Sequence, residues 1–300
     1  MRISPTILLL ALCAVHRVWC LKPTRRAFLA TPGAALLVPT VSEAAALSDS
    51  LLDRFQQDIL IQPPTSVASE LNGIDNTYYP DFMEGTWQVT QTLVNLQTPL
   101  GLQYLGGPNG DLQIAQKSFR ESQNQLNLPV SLQFRFVRTP WGIAEDRLYN
   151  TQQRLDAFAG RKVVSSVQYA DVGGSNRASI LALGGSADTP LQTTLVYFKG
   201  PAAQKTFLTS HQGQTVLNNR FVVSEGQRSI FALTNESTAP PIWTDTQVLW
   251  DYERVDDRHV RGKLRIAGYL NAQTDQLYFQ ARNRAVSLQD YTLALEKVDQ

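Results

Sequence analysis

The stretch Ser131-Leu132-Gln133-Phe134-Arg135-Phe136-Val137 alternates polar and apolar residues almost perfectly. Successive side chains of a β-strand point to opposite faces of a sheet, so this alternation predicts a strand with one buried face. The same period of two begins at Thr86 and recurs along the rest of the chain. Further strands are predicted from residue 86 onward and at residues 163–169, 193–198, 206–209, 220–223, 229–233, 247–254, 261–270, 277–282 and 291–297.

About ten short strands, joined by turns of Gly, Asn, Asp and Pro, indicate an all-β, antiparallel domain. Helical spacing is confined to residues 47–60, which predicts one short N-terminal helix that ends at Pro63 and Pro64. No sustained helix is expected after residue 60. Because an antiparallel sheet must protect its edge strands, we expect closure into a β-barrel, with a two-sheet sandwich as the alternative.

The segment before the first strong strand carries a local motif. Residues 79–87 read Tyr-Pro-Asp-Phe-Met-Glu-Gly-Thr-Trp. This segment resembles the opening of lipocalin and other calycin barrels, which begin with a short helical turn and then Gly-x-Trp on the first strand. The resemblance implies a lipocalin-like barrel in which Trp87 plugs one end and Gly85 lets the chain pass close beneath it. It also implies a late arginine, such as Arg282, packed on Trp87.

A wider resemblance covers most of the chain. It rests on the order of five segments, at residues 79–87, 99–101, 134–136, 146–150 and 224–228. This order is similar to that of an uncharacterised family of cyanobacterial and plastid proteins with members in the thylakoid lumen. The resemblance implies a location and a fold, and it carries no established reaction.

The N-terminus contains two export signals in succession. Residues 1–20 have a basic start, an apolar middle at residues 7–15 and a predicted signal-peptidase cleavage site after Cys20, which is typical of a signal peptide. Residues 21–46 contain Arg25-Arg26, a mild apolar stretch and an Ala-x-Ala site, which match a twin-arginine signal. Two stacked signals resemble the bipartite presequences of algae with complex plastids. They predict a thylakoid-lumen protein, with secretion as the alternative.

The signals and the strand pattern together predict four parts of the chain. Residues 1–20 are the signal peptide and residues 21–46 the plastid transit and twin-arginine thylakoid signal. Residues 47–78 form the N-terminal helix and linker, and residues 79–300 form the β-barrel domain. No segment after residue 46 is apolar and long enough to cross a membrane as a helix.

Composition limits the chemistry that this chain can perform. The 300 residues are 43% hydrophobic and 18% charged, which excludes a disordered chain, and a net charge of +1 disfavours nucleic-acid binding. The first 46 residues hold five of the 27 basic and one of the 26 acidic residues, so 22 basic and 25 acidic residues remain, with a net charge of −3. Both cysteines also lie there, which excludes disulfides and thiol chemistry from the processed chain.

Candidate site residues fall into an aromatic and a charged group. The aromatic residues, which could line an apolar cavity, are Trp87, Trp141, Trp250 and Tyr252. The charged residues, which could orient a ligand headgroup, are Arg147, Glu225 and Arg228. The alternatives are a packed barrel core and structural ion pairs. The sequence indicates no catalytic motif, no metal site and no cofactor.

Two functions are compatible with these features. The first is a non-catalytic lumenal barrel that binds an apolar small molecule (a pigment, quinone or lipid) or assists the assembly or maintenance of a photosynthetic membrane complex. The second is a lumenal enzyme that acts on a lipid or pigment by acid–base chemistry of carboxylates such as Asp146 and Glu225.

Overall fold

In the computed structural model, which describes residues 50–63, 77–169, 193–217, 219–234 and 241–299, the chain forms one antiparallel sheet of eleven strands. The predicted antiparallel β fold is confirmed. The strands are β1 Tyr78–Tyr79, β2 Gly85–Gln97, β3 Pro129–Thr139, β4 Gly142–Glu145, β5 Val164–Tyr169, β6 Thr193–Phe198, β7 Ala202–Val216, β8 Arg220–Leu233, β9 Ile242–Arg254, β10 His259–Tyr269 and β11 Ser287–Lys297.

The strand order across the sheet is β1-β4-β3-β2-β11-β10-β9-β8-β7-β6-β5. Strands β6 to β11 pair in sequence order, and β2 then pairs with β11, so the two halves of the chain meet at the centre of the sheet. The sheet curls into a half-barrel. Within the described residues β1 and β5 each pair with one neighbour, and a closed barrel is not confirmed.

Three α-helices accompany the sheet in the described part of the chain: α1 Leu112–Gln123, α2 Arg147–Phe158 and the single turn α3 Tyr278–Ala281. The prediction that no helix follows residue 60 is therefore wrong. Helix α2 buries only Asn150 and Leu155, so hydrophobic periodicity gave little signal there. Helix α1 packs Ala115 and Phe119, four residues apart, into an apolar cluster, and this helical spacing was overlooked. The caps of both helices were a further available signal, since the side chains of Asp111 and Asp146 accept hydrogen bonds from the first-turn amides.

Some predicted strand boundaries also need correction. Residues 206–209 belong to the longer strand β7, and the predicted pair at 220–223 and 229–233 is the single strand β8. The predicted strand at 277–282 is the helical turn α3, which ends at Arg282 in a left-handed conformation with φ 53°. The N-terminal segment contains a 3₁₀ turn, Asp53–Phe55, where a helix was predicted over 47–60; residues 47–49 lie outside the described part.

The inner face of the half-barrel carries the main core. The Tyr79 ring lies 4.8 Å from the Phe136 ring of β3 and 5.3 Å from the Phe221 ring of β8. These two strands are far apart in the sheet order, so their contact with one ring identifies this face as the concave one. Trp87 and Trp250 belong to the same buried cluster.

The opening motif lies at the base of this core. Trp87 is 1% exposed, and its indole nitrogen donates a hydrogen bond to the carbonyl oxygen of Met83 at 2.8 Å. Gly85 has φ 122°, a conformation that favours glycine, and a Cβ at this position would lie 2.9 Å from Cε of the Lys297 side chain. The cation over the Trp87 ring is Lys297, with Nζ 5.5 Å from the ring centroid, where a late arginine was expected.

The N-terminal segment covers part of the outer face. Leu60 is fully buried with Leu249 and Leu288, and its carbonyl accepts a hydrogen bond from the amide of Ala285. Arg54 donates to the side chain of Gln247 at 2.8 Å. This segment therefore protects apolar side chains that the central strands present away from the inner core.

Helix α2 lies across the opening between the two ends of the curled sheet. Asn150 exchanges hydrogen bonds with the backbone of Arg135 on β3, at 2.7 and 3.2 Å. One turn further on, Leu155 packs against Val164 of β5 and Val196 of β6. Because α2 contacts both ends of the sheet, it forms one wall of the space that the half-barrel encloses.

Candidate functional site

A cavity of about 190 Å³ lies between α2 and the inner face of the sheet. Its polar lining consists mainly of hydroxyl groups (Thr151, Thr194, Thr206, Ser229, Thr244 and Thr246) and carboxamides (Gln91, Gln204, Gln227 and Gln289). Its apolar lining includes Leu155, Leu208, Val248, Trp250, Leu264 and Ile266. The cavity can therefore accommodate both a hydrogen-bonding group and a hydrocarbon surface.

The polar and apolar groups are separated along the strands. On β9 the inward row runs from Thr244 and Thr246 to Val248 and Trp250, and it continues to Tyr252 in the core. The β8 partners follow the same order, since Ser229 pairs with Thr244 and Val223 with Trp250. One end of the cavity is thus rich in hydroxyl groups, and the other faces the aromatic core.

A buried ion pair supports the cavity wall, with Arg147 lining the cavity and Glu225 lying behind it. Arg147 donates from Nη1 and Nη2 to the two carboxylate oxygens of Glu225, at 3.1 and 2.5 Å, and also lies 3.6 Å from Glu145. Glu225 is fully buried, and Gln227 donates a further hydrogen bond to it at 3.2 Å. Burial by itself would raise the pKa of Glu225, but the charge and hydrogen bonds of Arg147 hold that pKa below its ordinary value.

Buried polar atoms without a hydrogen-bond partner are concentrated at this cavity. Among the described residues, seven such side-chain atoms occur, and five of them belong to residues that line it. The five are Gln91 Oε1, Arg154 Nε, Arg154 Nη2, Gln204 Oε1 and Trp250 Nε1. Buried polar groups in folded proteins are nearly always paired, so a cluster of exceptions needs an explanation.

The chain matches a protein family over residues 72–299, a range that contains all eleven strands and the cavity. The family is described as Domain of unknown function (DUF6816). This chain belongs to that family. The expectation of an uncharacterised family is confirmed. Neither a curated protein nor a solved structure matches the chain.

The residues proposed from the sequence occupy different places in the DUF6816 domain. Arg147 and Trp250 line the cavity, and Glu225 binds Arg147 behind the wall. Tyr252 is buried with the aromatic residues below the cavity, where burial raises its pKa, and Trp87 lies in the same core. The structure therefore brings these five residues to the inner face of the sheet.

Two proposed residues lie elsewhere. Trp141 is 75% exposed in the turn between β3 and β4. Arg228 forms a two-bonded ion pair with Asp245, and neither residue lines the cavity. Side chains of β8 alternate between faces, so Arg228 and the cavity residue Gln227 point in opposite directions.

The carboxylates proposed for acid–base chemistry are engaged in structural contacts. Asp146 caps α2 and binds Arg135, with an Nε to Oδ2 distance of 2.8 Å. Glu225 is held by Arg147. Among the described residues of the DUF6816 domain, no group of three or more His, Cys, Asp or Glu side chains is placed to hold a metal ion.

Sequence reasoning missed Arg154 and the row of inward hydroxyl groups. The available signal was Thr244 and Thr246 at alternate positions ahead of Val248 and Trp250, which shows that the buried face of β9 is polar at one end. Arg154 lies on a helix that was not predicted. In the part of the chain that the structure describes, no helix combines the length and apolar character needed to cross a membrane.

Proposed function

We propose that this protein is a non-catalytic binding protein whose half-barrel takes up a small molecule between α2 and the inner face of the sheet. The observation that supports this function is the concentration of unpaired buried polar atoms at the cavity. Leaving each such group unpaired costs about 1–3 kcal/mol. A ligand with matching hydrogen-bonding groups would remove this cost on binding.

The lining favours an amphiphilic ligand over a wholly apolar one. An apolar cavity of ~150 Å³ binds benzene, so the volume of about 190 Å³ suits a compound with one small ring or the headgroup of a longer molecule. The hydrocarbon part of the ligand would lie against Val248 and Leu264, and its polar groups would pair with the unpaired buried atoms of residues that line the cavity. A pigment, quinone or lipid fits this proposal through its headgroup.

The state of Glu225 favours binding over acid–base catalysis. A general acid or base must reach the substrate and change protonation near the working pH. Glu225 is fully buried, its pKa is lowered, and both of its oxygens accept hydrogen bonds from Arg147. It supports the cavity wall in this proposal.

Filling the cavity tests this function. Thr246 lies on the central strand β9 and lines the cavity, so Thr246→Trp places a large side chain inside it. We expect native mass spectrometry of the tagged protein, purified from its source cells, to detect a bound small molecule whose occupancy falls at least tenfold in this variant. The matched control is Thr90→Trp, at an exposed position of β2. No bound compound in the wild-type protein, or equal occupancy in all three proteins, would contradict the proposal.

We also propose that the protein works in the thylakoid lumen of a plastid, where it serves as a carrier or assists a photosynthetic membrane complex. Support comes from the two successive signals in residues 1–46, which lie outside the described residues. The resemblance of Gly85 and Trp87 to the lipocalin opening supports a lipocalin-like relationship, and the family resemblance supports a cyanobacterial or plastid origin.

The twin-arginine signal can be tested by a charge-conserving change. We expect Arg25→Lys combined with Arg26→Lys to stop transport into the lumen and leave an uncleaved intermediate in the stroma, because the receptor reads the arginine pair and not its charge. Lys22→Arg, three residues upstream, serves as the control. The measurement is fractionation of plastids that express the full chain with a C-terminal tag. Unchanged lumenal accumulation of the double variant would contradict the assignment.

A further inference from the structure

We infer that the ligand of this cavity is a monocarboxylate and that Arg154 binds its carboxylate group. This inference rests on the proposed binding function and specifies its ligand. Arg154 lies on α2, two turns beyond Arg147, and lines the cavity. Its guanidinium carbon lies 5.1 Å from the Phe134 ring centroid and 5.9 Å from that of Trp250.

These aromatic contacts position the guanidinium group without using its hydrogen bonds. A cation over an aromatic ring is attracted by the ring's electron-rich face, so Phe134 and Trp250 stabilise the charge. Nε and Nη2 of Arg154 are shielded from solvent and have no acceptor among the described residues. Arg154 is thus held in place by packing while two of its donor nitrogens stay unused.

Other arginines of this protein show what this pair of nitrogens binds. Arg220, Arg228 and Arg265 each donate from Nε and Nη2 to the two oxygens of one aspartate, over distances from 2.6 to 3.0 Å. This two-bonded geometry is the strongest arrangement of an arginine with a carboxylate. Nε and Nη2 of Arg154 form the same edge of the guanidinium group but bind no aspartate among the described residues. This edge is therefore suited to a carboxylate supplied by the ligand.

The charges around the cavity disfavour a ligand with more than one negative charge, because Arg147 and Arg154 are already matched in number by Glu145 and Glu225. Glu225 is bound by Arg147, and Glu145 lies 3.6 Å from Arg147 and accepts a hydrogen bond from Asn150 at 3.1 Å. Among the described residues Arg154 forms no ion pair. One cation without an ion-pair partner matches a monocarboxylate better than a doubly charged phosphate. The neighbouring hydroxyl and carboxamide groups are neutral donors and acceptors.

A matched pair of probes tests this inference. Benzoate and benzamide have the same size and shape, and only benzoate carries the charge. Both suit a cavity slightly larger than one that binds benzene. By calorimetric titration of the naturally processed protein, we expect benzoate to bind at least tenfold more tightly than benzamide, and inorganic phosphate to bind more weakly than benzoate.

Two variants of Arg154 connect this preference to the guanidinium group. We expect Arg154→Met to abolish the preference for benzoate, because methionine keeps the contacts with Phe134 and Trp250 but has no charge. Arg154→Lys is expected to restore the preference only in part, since an ammonium group cannot form the two-bonded arrangement. Arg138→Met, at an exposed arginine on β3, is the control and should bind both probes like the wild type.

Stability distinguishes a binding residue from a structural one. We expect the empty Arg154→Met protein to unfold at the same or a higher temperature than the wild type, because the change removes unpaired buried donors. A large loss of thermal stability with an unchanged preference for benzoate would identify Arg154 as a structural residue and overturn the inference.

The failure of this inference can be told apart from failure of the binding function. Equal affinity for benzoate and benzamide, with both excluded by Thr246→Trp, would overturn the carboxylate assignment and leave the binding function standing. A neutral natural ligand found by mass spectrometry would do the same. If no probe binds and no natural ligand is found, both proposals fail.

Discussion

Replacing Arg147 with methionine is expected to lower the free energy of unfolding at neutral pH by about 3–5 kcal/mol, since removal of one partner leaves a buried charge without compensation. The Arg147 side chain is 12% exposed and that of Glu225 is fully buried. In the variant both Glu225 and Glu145 lose the cation that neutralises them. Urea unfolding, followed by intrinsic tryptophan fluorescence, measures the change.

The size of this effect should depend on pH in a defined direction. In the wild type the pKa of Glu225 is lowered, so its contribution to stability is present above the ordinary pKa of a glutamate and is lost as the pH falls through the lowered value. In Arg147→Met burial is unopposed and should raise this pKa above the ordinary value. Protonation then relieves the buried charge, and the difference from the wild type should narrow as the pH falls from neutral toward the ordinary pKa of a glutamate.

Two controls distinguish the effect of losing the ion pair from the effect of disrupted packing at the cavity wall. In the double variant Arg147→Met and Glu225→Leu, we expect most of the lost stability to return, because the buried Arg147–Glu225 pair is gone and only the partly exposed Glu145 is left without its cation. Arg138→Met removes an exposed arginine that binds Glu84 and Asp81, and it should change stability little at any pH. A double variant as unstable as Arg147→Met at neutral pH would show that packing, and not charge, causes the loss.

Truncating Trp87 is expected to produce a loss of similar size. Trp87→Ala should lower the free energy of unfolding by about 3–5 kcal/mol, which is typical of removing a large aromatic side chain from a core. Trp87 is 1% exposed within the inner core, and the change also leaves the Met83 carbonyl without its donor. Urea unfolding monitored by circular dichroism measures this loss without relying on the fluorescence of the removed tryptophan.

The chain offers a matched control for Trp87→Ala. Trp141 is 75% exposed, so the same substitution there should change the free energy of unfolding by no more than about 0.5 kcal/mol. Similar losses for the two variants would contradict the placement of Trp87 at the base of the core.

Sequence-based prediction succeeded where polar and apolar residues alternated regularly over a whole element, and it failed where they did not. Residues 131–137 lie within β3, and their alternation correctly places Leu132, Phe134 and Phe136 in the inner core. Helix α2 was missed because it buries only Asn150 and Leu155, a pattern without apolar periodicity. Its cap Asp146 was noticed as a candidate catalytic carboxylate, although its position before a polar helix fits capping.

The candidate site was predicted only in part, because residue type alone does not show which face of a strand lies in the interior. Arg147, Glu225 and Trp250 were selected because paired buried charges could orient a ligand headgroup and aromatic residues could line an apolar cavity, and all three lie at or beside the cavity. Arg228 was selected on the same grounds and lies on the opposite face. Sequence distinguishes the two faces of β8, but assigning a face to the interior also requires the register with β7 and β9.

The sequence by itself determined an antiparallel sheet and the identity of many core residues, because these properties depend on short repeating patterns. Only the tertiary structure decided which arginine is neutralised and which is available. Arg147 meets Glu225 across 78 positions of sequence, whereas Arg154 faces aromatic rings of β3 and β9. These contacts arise because the sheet curls and α2 crosses its opening, and neither event is encoded in a local period.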